Sequence, residues 1–174
     1  RISEGLPIIK AGIGMHTGPL IIGITGDEFR MDAATISDTV NTASRIESLT
    51  KYYRSPLLLS SETLHQVTDH NRYHLRHLGK VQLKGKFNLL SIVECINGYP
   101  AKDLEKKIKT LAQFKQSMND YFDQRFENAV EGFQAVIAAD PEDHTAAFFM
   151  ENALKYIGRG VPENWTGAEE MLSK

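Results

Sequence analysis

The sequence predicts an α+β domain followed by a small all-helical unit, and three observations lead there. Glycine-punctuated strand-like runs open the chain, one long amphipathic helix interrupts them, and every strand signal stops at Pro100. A chain that mixes strands and helices in its first part and shows only helical periodicity afterwards reads as two layers of organisation. The boundary is placed to give an α+β unit over 1–98 and a helical extension over 99–174.

Ile8 to Met15 and Pro19 to Ile24 read as two strands joined at His16-Thr17-Gly18. Their nearly continuous apolar character predicts burial on both faces. Gly26-Asp27-Glu28 is a turn signal, and Arg30 to Ile36 a short return strand. Ser37 then offers an N-cap and Asp38 a first-turn anion for a helix running to about Tyr53. Val40, Ala43, Ile46 and Thr50 form its core-facing stripe, whereas Asp38, Asn41 and Arg45 share an arc of about 60° on another face.

Pro56 to Leu59 reads as a buried strand, and Ser60 to Val67 begins like a capped helix. Tyr73 to Gly79 and Val81 to Ile96 read as strands around the polar break Lys84-Gly85-Lys86, closing at Asn97-Gly98-Tyr99-Pro100. Three helices follow, over Asp103–Asp123, Arg125–Ala138 and Pro141–Ile157. Small and aromatic residues from Asn128 to Phe133, then Val136, Ile137 and Asp140-Pro141, have the spacing of a tetratricopeptide-type helix. So short a stack cannot bury its own core, so these helices are expected to dock on the preceding domain or on a second chain.

With 41% hydrophobic and 24% charged residues, the chain has the balance of a soluble globular protein. A formal net charge of −2 gives no electrostatic case for nucleic acid or an anionic membrane surface. Cys95 is the only cysteine, so no disulfide joins parts of the chain, and a cytoplasmic setting is expected with Cys95 as a small core residue. No run approaches the ~18 apolar residues of a membrane span, and Arg1 to Lys10 lack a signal-peptide core.

The segment Gly12-Ile13-Gly14-Met15-His16-Thr17-Gly18-Pro19, continuing to Gly26, forms with Asp38-Thr39-Val40-Asn41-Thr42-Ala43-Ser44-Arg45 and the late Leu83-Lys84-Gly85-Lys86 three ordered signals. Together they resemble the catalytic domain of class III adenylate and guanylate cyclases, from about Leu6 to Ile96. The resemblance implies part of a ferredoxin-like cyclase domain, its C-terminal half. It also implies attack of a ribose 3′-hydroxyl on the α-phosphate of ATP or GTP, with pyrophosphate expelled and two Mg²⁺ or Mn²⁺ ions assisting.

By the same resemblance Arg45 stabilises the transition state and Asn41 positions the ribose. Lys84 holds the terminal phosphates, and Ala34 and Asp38 fall at substrate-binding positions. The family works as a homodimer whose sites draw on both subunits. Gly160-Val161-Pro162-Glu163-Asn164-Trp165-Thr166-Gly167 resembles the ending of bacterial cyclases with a helical extension, in which Trp165 packs on the helices. That architecture often carries an inner-membrane sensor region upstream.

Two departures qualify the resemblance. The family's metal-binding aspartates belong to a strand-helix-strand portion for which the residues before the first strand, with Glu4 as their only acid, offer no counterpart. No metal is therefore expected on this chain, the fragment by itself is expected to be inactive, and the sheet edge that portion would complete is expected to be covered by the helices or by another copy. Family members also show a Tyr-Thr or Tyr-Asp pair and a glycine where this chain has Ala33, Ala34 and Ser37. An alanine side chain makes no hydrogen bond to a base, which leaves ATP and GTP both open. It also keeps a second reading alive, a cyclase-like domain that binds nucleotide or a protein partner without turnover.

Overall fold

The structure, a computed structural model, describes residues 11–27, 31–82, 89–163 and 165–170. Its architecture is α+β. Among the described residues a five-stranded sheet has the order β1-β4-β6-β5-β7, and β2 and β3 form a separate two-stranded sheet. β1 (Ile13–Met15) runs parallel to β4 (Leu57–Ser60), which pairs antiparallel with β6 (Leu89–Cys95). β6 pairs antiparallel with β5 (Leu75–Gln82), with a bulge between His77 and Gly79. β2 (Ile21–Gly26) and β3 (Met31–Ile36) make an antiparallel hairpin in which Gly23 faces Ala34.

α1 (Asp38–Tyr53) begins where the sequence places it, because Ser37 is extended and its hydroxyl accepts the Thr39 N–H at 2.9 Å. It ends at Arg54, whose left-handed backbone (φ 54°) returns its N–H to the Thr50 carbonyl. Thr42, Ile46, Leu49, Thr50 and Tyr53 form its buried face. β1 crosses beneath it at Gly14, where an added Cβ would fall on the Glu47 amide nitrogen and the Ala43 carbonyl oxygen. Backbone cannot rotate aside as a side chain can. Gly14→Ala is therefore expected to cost about 1–3 kcal/mol, read as a lower urea midpoint at unchanged slope.

The chain turns helical at Pro100 without beginning a new core. α3 (Ala101–Phe122), α4 (Phe126–Ala139) and α5 (His144–Arg159) follow α2 (Ser61–His65), and their inner faces join the sheet and α1 in one hydrophobic cluster. That cluster unites Ile46, Leu49, Tyr53, Leu58, Leu78 and Ile92 with Phe114, Tyr121, Phe133 and Phe149. The tip of the Phe122 ring packs against Gly79, whose φ of +95° and lack of Cβ admit it. On the other sheet face a smaller cluster of Leu59, Leu64, Val93 and Cys95 sits under α2. The C-terminal segment folds back, with Trp165 among Tyr121, Phe126 and Tyr156 at 5.5–5.7 Å between ring centres. β7 (Glu169–Glu170) then pairs in parallel with Val81 and Gln82 of β5.

Where β5 and β6 meet the helices, an ionic cluster is sealed inside the protein. The Arg76 guanidinium contacts Asp143 at 2.8 Å and Glu94 at 3.6 Å, and lies 4.1 Å above the Phe114 ring. Lys107 reaches Asp143 at 3.2 Å and Asp140 at 3.5 Å, with its ammonium 4.5 Å from the Tyr99 ring. Lys106, at the rim, approaches Asp140 at 3.7 Å. Tyr99 donates its hydroxyl to Glu94 at 2.9 Å. Burial and the adjacent Glu94 carboxylate push that phenol far above its ordinary range. Burial alone would raise the Asp143 carboxyl, but Arg76 and Lys107 outweigh it and hold the group below the usual carboxylate range. Charges at this depth are tolerated only as paired sets, and this set spans the strand-to-helix boundary.

Three sequence expectations need correction. The strands on either side of His16-Thr17-Gly18 do not pair with each other: β1 joins β4 and the hairpin is β2–β3. Burial on both faces fails as well, since Ile13, Met15, Leu20, Ile21, Ile22 and Ile24 are exposed, the last three by 72–76%. Apolar character drives burial only where something lies opposite, and no described element covers these side chains. Val40, assigned to the core stripe of α1, is exposed by 43% for the same reason. The helices cover a face of the sheet and β7 pairs with β5, while among the described residues the outer edge of β1 carries no strand.

Candidate active site

The site is built on the outer face of α1. Asp38 and Asn41 are exposed and Arg45 is half-buried, and the three share the face that helical spacing assigns to them. Asn41 and Arg45 stand one turn apart, about 6 Å along the axis. Asp38 occupies the first helical position, where a carboxylate complements the helix dipole. Ala34 lies in β3 opposite Gly23, on the strand that leads into Ser37 and α1. Lys84 lies outside the described residues; β5 ends two residues ahead of it, at Gln82. The structure thus brings Asp38, Asn41 and Arg45 onto one surface and reaches Ala34 through the backbone of β3.

Local bonds hold that surface in place. Both Ser37 and Thr39 donate their hydroxyls to the Pro19 carbonyl, at 2.8 and 2.6 Å, tying the start of α1 to the β1–β2 connection. The connection is itself held by the His16 ring nitrogen against the Ser60 hydroxyl at 2.8 Å and by Thr17 donating to Thr63 at 3.2 Å. His16 thus helps to hold the loop. Among the described residues no three His, Cys, Asp or Glu side chains come together as a metal site. A pocket lined by His77, Lys80, Ser91, Phe122 and Thr166 lies at the C-terminal segment, and no candidate residue lines it.

What sequence reasoning missed lies at the other end of α1. Thr145, in the first turn of α5, is fully buried and donates its hydroxyl to the Tyr53 carbonyl at 3.0 Å. The Arg76–Glu94–Lys107–Asp140–Asp143 cluster went unread too, although a single charge inside the apolar strands around Leu75–Leu78 and Ile92–Cys95 is a visible signal.

The sequence profile of the adenylate and guanylate cyclase catalytic domain matches residues 4–99, and the chain belongs to that family. It is 31% identical over 150 residues to the terminal-differentiation-specific adenylate cyclase of Dictyostelium discoideum, covering 86% of this chain and 7% of that protein. It is 41% identical over 91 residues to an adenylate cyclase of Anabaena cylindrica, covering 52% of this chain and 18% of that one. The chain thus spans less than a fifth of either relative. The Dictyostelium match is too long to end at residue 99, so it takes in a large part of the helical region. A solved bacterial light-regulated adenylyl cyclase aligns at a TM-score of 0.44 and 22% identity, over 60% of this chain and 28% of that one. Among the described residues no helix is long and apolar enough to cross a membrane.

Proposed function

We propose that this chain is the substrate-binding half of a nucleotidyl cyclase, which in the full-length protein converts ATP or GTP to the 3′,5′-cyclic nucleotide and pyrophosphate. The observation that carries the reading is the outer face of α1, where Asn41 and Arg45 stand one turn apart on a helix fixed at its start. Arg45 supplies a planar, permanently charged donor fork for the charge that grows on the α-phosphate. Asn41 both donates and accepts, as the positioning of a ribose requires. Asp38 completes the face, Ala34 stands at the base position, and Lys84 is assigned to the terminal phosphates.

Divalent cations belong in this reading to carboxylates outside the described residues, contributed across a homodimer of the catalytic domain. The 174 residues alone are then inactive. The helical extension is read as a tetratricopeptide-like unit over 99–174, and the protein as a signalling enzyme with its catalytic part in the cytoplasm. The test is an assay of the full-length protein with ATP and with GTP in manganese: cyclic nucleotide from either supports the reading. Ala34 favours a second one, a cyclase-like domain without turnover, and absence of product from both nucleotides would select it. Cyclase activity from residues 1–174 alone would sink the claim that this half is silent.

A further inference from the structure

We infer that the helical extension is a positioning device for the substrate helix: Thr145 fixes the far end of α1, and Asp143 fixes Thr145. The inference rests on the cyclase reading for its catalytic consequence and on geometry for the rest. Tyr53 is the last residue of α1, so its carbonyl has no partner within the helix. It accepts the hydroxyl of Thr145, from 92 residues further along the chain. An unpaired carbonyl there would be costly, because both Tyr53 and Thr145 are fully buried.

Thr145 has little freedom to follow a drifting α1. Asp143, two residues before it, caps α5 by accepting the Ala146 N–H at 3.1 Å. The same carboxylate holds Arg76 of β5 and Lys107 of α3. The first turn of α5 is thereby staked to the sheet and to α3 before it touches α1. The rings repeat the arrangement: Tyr53 stacks on Phe149 at 5.9 Å, and Phe148 meets Tyr52 and Tyr53 edge-on at 4.8 and 5.3 Å.

α1 is thus pinned at Ser37 and Thr39 by the β1–β2 connection and at Tyr53 by α5, with Arg45 between the pins. Arg45 lies eight residues, about 12 Å, from the Thr145 bond. Releasing one end lets the helix pivot about the other and carries the guanidinium sideways. A misplacement of about 1 Å can cost on the order of a hundredfold in rate. The match to the Dictyostelium adenylate cyclase, which runs through much of the helical region, agrees with an extension that travels with the catalytic part.

The test compares Thr145→Val, which keeps the shape and loses the hydroxyl, with Thr145→Ser, which restores it. Amide hydrogen exchange on the 174-residue chain should show the last turn of α1 exchanging about tenfold faster in the valine variant, relative to Ile92 and Val93 in the core strand β6. In the full-length protein kcat should fall about tenfold with KM unchanged, and serine should recover most of it. Uniform exchange across α1 and β6, or an unchanged kcat in a wild type that turns over, would overturn the inference. Local loosening of α1 in a protein whose wild type makes no cyclic nucleotide would support the pinning and remove the cyclase reading instead.

Discussion

Arg45→Ala in the full-length protein is expected to lower cyclic-nucleotide formation by about 10³-fold, with most of the loss in kcat. Removing one fixed donor aimed at developing charge costs about 10²–10³-fold, and an arginine serving phosphoryl transfer about 10³–10⁵-fold. The side chain is half-buried, and no neighbouring cation on α1 replaces it, since its face also carries Asp38 and Asn41. Arg45→Lys should recover only part of the loss, because an ammonium cannot offer two parallel donors. The folded state should be nearly indifferent, with thermal midpoints of wild type and both variants agreeing within a few degrees. A rate loss accompanied by a large drop in thermal midpoint would assign Arg45 to the fold.

Asp143→Ala is expected to destabilise the chain by about 3–5 kcal/mol, the cost of leaving buried charge without its partner. Arg76 and Lys107 lose their shared carboxylate, and α5 loses its cap. For a chain of this size the thermal midpoint should fall on the order of 10 °C. Asp143→Asn keeps the cap and removes the charge, so its loss should be smaller and pH-dependent. The carboxyl is held low in the folded protein, so its contribution is complete above the unfolded value near ~3.9 and disappears as pH falls through the folded one. The stability gap between wild type and Asp143→Asn, measured by urea unfolding, should therefore narrow below about pH 4. A gap constant from pH 7 to pH 2 would show that the charge of Asp143 contributes nothing.

Local chemistry made α1 and the later helices legible. Ser37 caps α1 where a serine before an amphipathic run should, and α5 starts at His144, three residues after the expected Pro141, because Asp143 is the cap. That Asp38, Asn41 and Arg45 share one face of α1 followed from spacing, and their candidacy from the resemblance to the cyclases. Strand partnership did not, because the parallel pairing of β1 with β4 depends on residues more than forty positions apart. The exposed isoleucines of β2 were misread because a strand's pattern states what it would bury, not what is present to bury it. β7, two residues long, carries no periodicity to detect. Thr145 was invisible for a different reason: a threonine in a first helical turn is ordinary until the helix end it bonds is known.

The ionic cluster also sets an order of events during synthesis. Arg76 leaves the ribosome 67 residues before Asp143, with Glu94 of β6 as its earlier-made partner. Until α5 emerges, Arg76 has Glu94 but lacks its closer partner Asp143, so burying this part of β5 and β6 is costly. Final assembly of the catalytic part is therefore expected to wait for translation of the helices, and a gene cut at the family boundary near residue 99 encodes a sheet whose Arg76 never meets Asp143.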